Sequence, residues 1–173
     1  AVPGIDLSAI AVAQVQERMD LEREVHAAAL ARADGAYAAT NKTTLSGADI
    51  WTHPDSNPFA VVNAAKEAIR QKIGRRPNVM ELGPTVLTAL RNHDKVMARL
   101  SNQTDKVPAT LAQLQALFEV DQIVEGSAIA DADGSFYDVW GNDAILAYIS
   151  PKTLQQRGSR NYGYTYRLPD RPM

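Results

Sequence analysis

The sequence predicts a chain of mixed helix and sheet, on three observations. Leu7 to Ala33 is rich in Ala, Gln, Glu and Arg and holds neither Gly nor Pro, a composition that favours helix by propensity alone. A Pro-initiated amphipathic segment then leads into a short apolar run bounded by Pro and Gly, the helix-then-strand order that begins an α/β layer. Later stretches alternate apolar with polar residues or stay apolar for a few positions, as strands do. With 173 residues, 45% hydrophobic and 22% charged, the chain has the composition of one globular domain with a core rather than of a disordered segment.

Taken in order, the first helix would be a rod of roughly 39 Å at 1.5 Å per residue, with Ser8 as N-cap and Gly35 as its C-terminal stop. Val12, Val15 and Met19 share one stripe of it, and Leu21, Val25 and Ala28 another. Charge interrupts both stripes. Arg18 with Glu22, and Asp20 with Arg23, have the spacing of exposed intrahelical pairs. Tyr37 to Asn57 is polar and turn-rich and reads as a connector. Pro58 opens a second helix whose Val62, Ala65, Ile69 and Ile73 share a face and which Gly74 stops. Asn78 to Leu82 reads as a buried strand. Pro84 to Leu90 and Lys95 to Leu100 read as short helices, and Ser101 to Pro108 as a surface loop. Leu111 to Phe118 is a compact amphipathic helix that Thr110 could cap. Val120 to Glu125 favours strand, and strands are expected on both sides of the Asp131-Ala132-Asp133-Gly134 turn, the second over Phe136 to Trp140. Ala144 to Ile149 suits an interior strand. Tyr162, Tyr164 and Tyr166 alternate with Gly163, Thr165 and Arg167 as a last strand, before a Pro-rich end at Leu168 to Met173.

Chemistry is sparse along this frame. With Cys 0, thiol catalysis, thiolate metal sites and disulfides are all excluded. His26, His53 and His93 fall in separate elements without metal-ligand spacing, so structural or surface roles are expected. Asp131-x-Asp133-Gly134 resembles the start of a calcium loop but lacks its later ligands. No phosphate-binding glycine loop and no nucleophile elbow occurs. Asp20 and Glu24, spaced i, i+4, are an exposed like-charge pair and a weak signal of acid–base work. No cofactor and no metal is implied. No apolar run reaches the length of a membrane span, and Ala1 to Ile10 lacks the features of a signal peptide. Absence of an initiator Met at Ala1 suggests a processed or incompletely represented chain.

Charge is the feature that stands out. Net charge is −2, so no global field draws the protein to nucleic acid. Yet Glu119 to Asp143 holds seven acids and no Lys or Arg, whereas Lys152 onward is basic and a second basic cluster, Lys66, Arg70, Lys72, Arg75 and Arg76, surrounds a helix end. Acidic and basic surfaces meeting across copies of one molecule would give a head-to-tail contact that closes into rings or extends. Arg75, Arg76, Glu125, Asp138, Arg157 and Arg160 are the candidate interface residues.

The order of elements and their local phrases resembles the major capsid proteins of tailed bacteriophages and prophages, with the Hong Kong ninety-seven type of fold shared by encapsulin shells. Met19-Asp20-Leu21-Glu22-Arg23-Glu24 resembles the spine helix. Leu45-Ser46-Gly47, Trp51 and Ser56-Asn57-Pro58 resemble the passage leaving it, and Val62-x-x-Ala65-x-x-x-Ile69 with Gly74-x-x-Pro77-Asn78-Val79 the opening of the axial domain. Leu87-x-x-Leu90-x-x-His93-Asp94-Lys95-Val96 and Leu111-Ala112-x-Leu114-x-x-Leu117-Phe118-x-Val120 are similar to two later helical passages, and Gly134 through Trp140-Gly141-Asn142 to Ile149 to the strands that follow. Glu119 departs from the pattern, since Gly is expected there.

This resemblance implies an α+β subunit with a long spine helix and an axial domain of helices packed on a mixed sheet. Residues 1–57 would be spine and connector, 58–166 the axial domain, and 167–173 a segment returning toward the peripheral domain. It implies self-assembly into hexamers and pentamers of an icosahedral head, without catalysis. Scaffold or portal protein and non-specifically held packaged DNA would be further partners, with no membrane involved. The virion would be its place, and the bacterial cytoplasm during assembly. Little precedes the spine-like helix and little follows Tyr166, so the N-terminal arm, extended loop and closing strands of a complete member are expected to lie outside this sequence. The competing reading is a cytoplasmic α/β enzyme or small-ligand domain with a site near Trp51, His53 and Asp55 and the Trp140 to Asp143 turn. A concave pocket of convergent, pKa-shifted groups would mark it.

Overall fold

The structure, a computed structural model, describes residues 7–100, 107–151 and 158–164. Helix α1 spans Leu7–Arg32. Three short 3₁₀ turns, Asp34–Ala36, Ala39–Asn41 and Gly47–Asp49, carry the connector. The order continues α2 (Pro58–Ile73), β1 (Val79–Leu82), α3 (Pro84–Asn92), α4 (Asp94–Leu100), α5 (Leu111–Phe118), β2 (Gln122–Glu125), β3 (Ile129–Ala132), β4 (Ser135–Asp138) and β5 (Ala144–Ala147). This is the expected α+β arrangement.

Two helix starts follow from side-chain chemistry. Asn57 caps α2, its Oδ1 accepting from the Ala60 N–H, and Pro58 takes the first-turn position where no backbone donor is needed. Thr110 caps α5 in a reciprocal box: Gln113 N–H donates to the Thr110 hydroxyl, and the Gln113 side chain accepts from the Thr110 N–H. Gly74 ends α2 in the left-handed region at φ 68°.

The central sheet has the order β2-β1-β5. β1 pairs β2 in parallel, reached by the crossover through α3, α4 and α5, and pairs β5 antiparallel. Met80 and Leu82 of β1 are fully buried against Val62, Leu87, Leu90, Val96, Leu114 and Phe118. Phe59 and Phe118 stack at 5.2 Å between centroids, and the Arg99 guanidinium covers the Phe59 ring at 3.7 Å. These contacts join α2, α4 and α5 into one core. A separate hairpin, β3 with β4, turns through Asp133 and Gly134, both at positive φ, the two-residue turn that suits strand twist.

Several expectations are corrected. α1 begins at Leu7, so Ser8 lies within it rather than capping it, and Gly35 falls in a 3₁₀ turn beyond its end. Phe59, Val62 and Lys66 make the buried face of α2, while Ile69 and Ile73 are only half-buried, since they lie toward the C-terminal end of the helix, outside the core cluster that Phe59 and Val62 join. Among the described residues β5 is an edge strand that stops at Ala147, with Ala144 exposed. Tyr162 to Tyr164 is irregular, and the remainder of that expected strand lies outside the described residues. Residues 101–106 of the expected loop lie outside them too.

Candidate subunit-contact surfaces

Among the described residues α1 meets the rest of the fold through its second half. Ala28, Ala130 and Val139 form a small buried cluster flanked by Val25, Ala128 and Trp140. Arg32 donates from Nε to Asp143 at 2.6 Å and from Nη1 to the Val139 carbonyl at 2.8 Å, and Trp140 Nε1 donates to Glu24 at 2.9 Å. The stripe Leu21, Val25 and Ala28 is therefore the docked one. Val12 and Val15, 59% and 58% exposed, face solvent, as do Leu7 and Ile10.

The basic candidates gather at the C-terminal end of α2. Arg76 reaches Glu119 at 3.5 Å, and Glu119 also pairs with Lys66 at 2.9 Å. The Lys66 hydrogen bond, foremost, holds the Glu119 carboxyl below the usual range. Glu119 sits at φ 52° as C-cap of α5, a left-handed position that gives the expected Gly a physical reason. Arg160 donates to the last carbonyl of α2, Ile73, at 2.9 Å, complementing the helix dipole. Arg75 is exposed and makes no ion pair among the described residues. Arg157 lies outside them. On the acidic side Glu125 ends β2 and Asp138 ends β4, both exposed. Arg75, Arg76 and Arg160 thus come together, and Glu125 and Asp138 lie toward the opposite end of the sheet.

The region of the competing reading holds an open hollow lined by Trp51, Pro54, Pro84, Thr88, His93 and Asp138, among others. His53 and Asp55 are not in its wall; His53 Nδ1 accepts from the Asp55 N–H at 3.2 Å as a local turn. His93 is buried, bonded through Nε2 to the Ser56 hydroxyl at 2.9 Å and accepting the Lys95 N–H at Nδ1, a structural role, one of the two expected from the sequence, though its partners were not legible there. Trp51 Nε1 is buried without a hydrogen-bond partner among the described residues. Among the described residues the groups with displaced pKa lie elsewhere: Glu67, lowered to about 2 chiefly by Arg70, Arg70 itself, raised chiefly by Glu67, Glu81, pushed up to about 7 by burial and then by Glu24, Glu119, lowered chiefly by Lys66, and Tyr162, raised mainly by burial. None of these groups lines the hollow. Among the described residues no set of three His, Asp or Glu side chains could hold a metal ion, and no helix is long and apolar enough to cross a membrane.

Comparison with known proteins completes the picture. Residues 35–164 match the family model described as phage major capsid protein E. The chain is 36% identical over 174 residues to the major capsid protein of Burkholderia phage BcepMu, covering 96% of this chain and 55% of that protein. It is 31% identical over 157 residues to the major capsid protein of Pseudomonas phage JBD67, covering 87% and 49% respectively. The crystal structure of a phage-related protein from Bordetella bronchiseptica RB50 superposes with a TM-score of 0.84 at 38% identity, over 98% of this chain and 55% of that one. The chain spans about half the length of these relatives.

Proposed function

Because the chain belongs to the phage major capsid protein E family, we propose that it forms part of a major capsid subunit which assembles with copies of itself into the shell enclosing phage DNA. The match over residues 35–164 carries this reading. The architecture supports it: α1 stands out with an exposed apolar stripe along its first half, which suits a rod completed by neighbours rather than by its own domain. On this reading residues 1–57 are spine and connector, 58–166 the axial domain and 167–173 a return toward the periphery, in a Hong Kong ninety-seven type of subunit. Arg75, Arg76, Glu125, Asp138, Arg157 and Arg160 lie at subunit contacts, which give the protein a structural role in place of catalysis. Hexamers and pentamers of the chain would make the head, with scaffold or portal protein as further partners, packaged DNA held without sequence preference, and the host cytoplasm as the place of assembly.

The test is the mass and shape of the full-length gene product expressed alone, by light scattering and negative-stain electron microscopy. Pentameric or hexameric rings, or closed shells, are expected. A product that stays monomeric or dimeric at high concentration across salt and pH would overturn the proposal.

A further inference from the structure

On one face of the β3–β4 hairpin, Ile129 and Phe136 are left uncovered by the other described residues, while Asp138 at its edge also borders the hollow beside Trp51 and Pro84. In its register Ala130 lies opposite Tyr137 and Ala132 opposite Ser135, whereas Ile129 lies opposite Asp138 and Asp131 opposite Phe136. Cross-strand partners share a face, so Ala130, buried beside Ala28 of α1, marks the inner one. The outer face consists of Ile129, Asp131, Phe136 and Asp138. Phe136 is 82% exposed and Ile129 54%, and neither Asp131 nor Asp138 makes an ion pair among the described residues. A two-stranded hairpin with an apolar pair flanked by two lone carboxylates has the make-up of half an interface.

A surface of opposite sign lies at the other end of the central sheet. Asn78, just before β1, bonds both the carbonyl and the N–H of Ile149. Ser150 donates to the Arg160 carbonyl at 2.9 Å, and Arg160 reaches back to Ile73 beside Gly74 and Arg75. Arg75, Arg160, the half-exposed Ile149 and Tyr164 therefore share one surface, with Asp121 at its margin beside Asn78. The hairpin follows from the opposite end of β1, where Gly126 N–H bonds Leu82. The length of β1 separates the two surfaces, so one copy cannot bring them together.

We propose that the outer hairpin face of one copy (Ile129, Asp131, Phe136, Asp138) docks head-to-tail on the Arg75, Ile149 and Arg160 surface of the next. It rests on the capsid-subunit reading and adds the surfaces to it. A heterologous contact of this kind repeats until the rotation closes, which is how a ring of identical subunits forms. Apolar residues at the centre with opposite charges around them match the anatomy of a protein contact. A phosphate-binding surface would instead be uninterrupted in charge, whereas here Arg76 is engaged by Glu119 and Asp121 stands at the edge.

These 173 residues hold no cysteine, and with any cysteine elsewhere in the full-length gene product replaced by Ser, single introduced thiols report contacts without background. Ile129→Cys and Ile149→Cys leave every charged group in place. In the full-length gene product, treated with a short bis-maleimide, the mixture of the two variants is expected to give cross-linked dimers, each variant alone none, and the double variant a ladder. Asp131→Lys with Asp138→Lys, added to the Ile129→Cys protein, is expected to cut the mixed product at least tenfold. Arg75→Glu with Arg160→Glu in the Ile149→Cys protein is expected to restore it. Ring or shell formation without the mixed cross-link would overturn this docking and leave the capsid reading standing. Neither cross-link nor assembly would overturn both. Self-cross-linking of Ile129→Cys would show a face-to-face contact, and loss of DNA retention in the Arg75→Glu, Arg160→Glu protein with cross-links unchanged would assign the basic surface to nucleic acid. Either result would overturn the proposal.

Discussion

Glu81 is the residue whose chemistry sets a testable pH dependence. It lies in β1, the central strand, between Val124 and Ile145, and burial, reinforced by Glu24 of α1, pushes its carboxyl up to about 7. The unfolded chain titrates near the usual carboxylate value of about 4.5. Between these values the native state holds a proton that the unfolded state has released, so stability falls as pH rises through that window and levels off above it. Glu81→Gln removes the ionisation while keeping the shape. Thermal melts are expected to show the variant equal to the parent near pH 4 and more stable at pH 8, by roughly 2–4 °C if the change is worth about 1 kcal/mol. An unchanged difference across that range would mean that Glu81 ionises as freely in the folded as in the unfolded chain.

Between elements, Lys66 is the joint that sequence patterning could not supply. It occupies the buried face of α2 beside Phe59 and Val62, and its ammonium donates to the Phe118 carbonyl at 2.7 Å and to Glu119 at 2.9 Å. It thereby satisfies a carbonyl at the end of α5 that would otherwise lack a partner. Lys66→Met keeps the packed stem but leaves that carbonyl unpaired, so a loss of about 1.5–3 kcal/mol is expected in urea unfolding, with the slope unchanged. A loss much below that would mean that water reaches Phe118 in place of the ammonium. Elements whose ends are set by local chemistry were legible in the sequence: Asn57-Pro58, Gly74, Thr110 and the Asp133-Gly134 turn. Those set by partners were not. Ala144 to Ile149 has an interior composition yet forms an edge, and a basic residue on an apolar face reads as surface until its acceptor on another helix is known. Of the candidate contact surfaces, the charges were legible and their grouping was not. Arg75 and Arg160 meet only through the fold, and the register that puts Phe136 outward depends on which hairpin face α1 covers.

At the scale of the whole molecule, α1 is fastened at one end. Every side chain from Leu7 to Arg18 is exposed, while Glu24, Ala28 and Arg32 are tied to the segment around Val139 to Asp143. A free helical half of this length is marginal in water, since nucleation is costly and only tertiary packing makes short helices persist. In the isolated subunit, amide hydrogen exchange should therefore be fast over the first three turns and slow from Val25 to Arg32, with a gradient between. On the proposed assembly the order of gain should reverse: the first half should acquire protection as neighbouring copies cover Ile10, Val12 and Val15, and the second half, already docked, should change little. Weakening the fastening by Arg32→Ala should raise exchange over the second half in the isolated subunit without altering that of β1. Uniformly slow exchange along all of α1 in the monomer would mean that the exposed half is stable by itself, and its apolar stripe would then contribute contact area on assembly but no ordering.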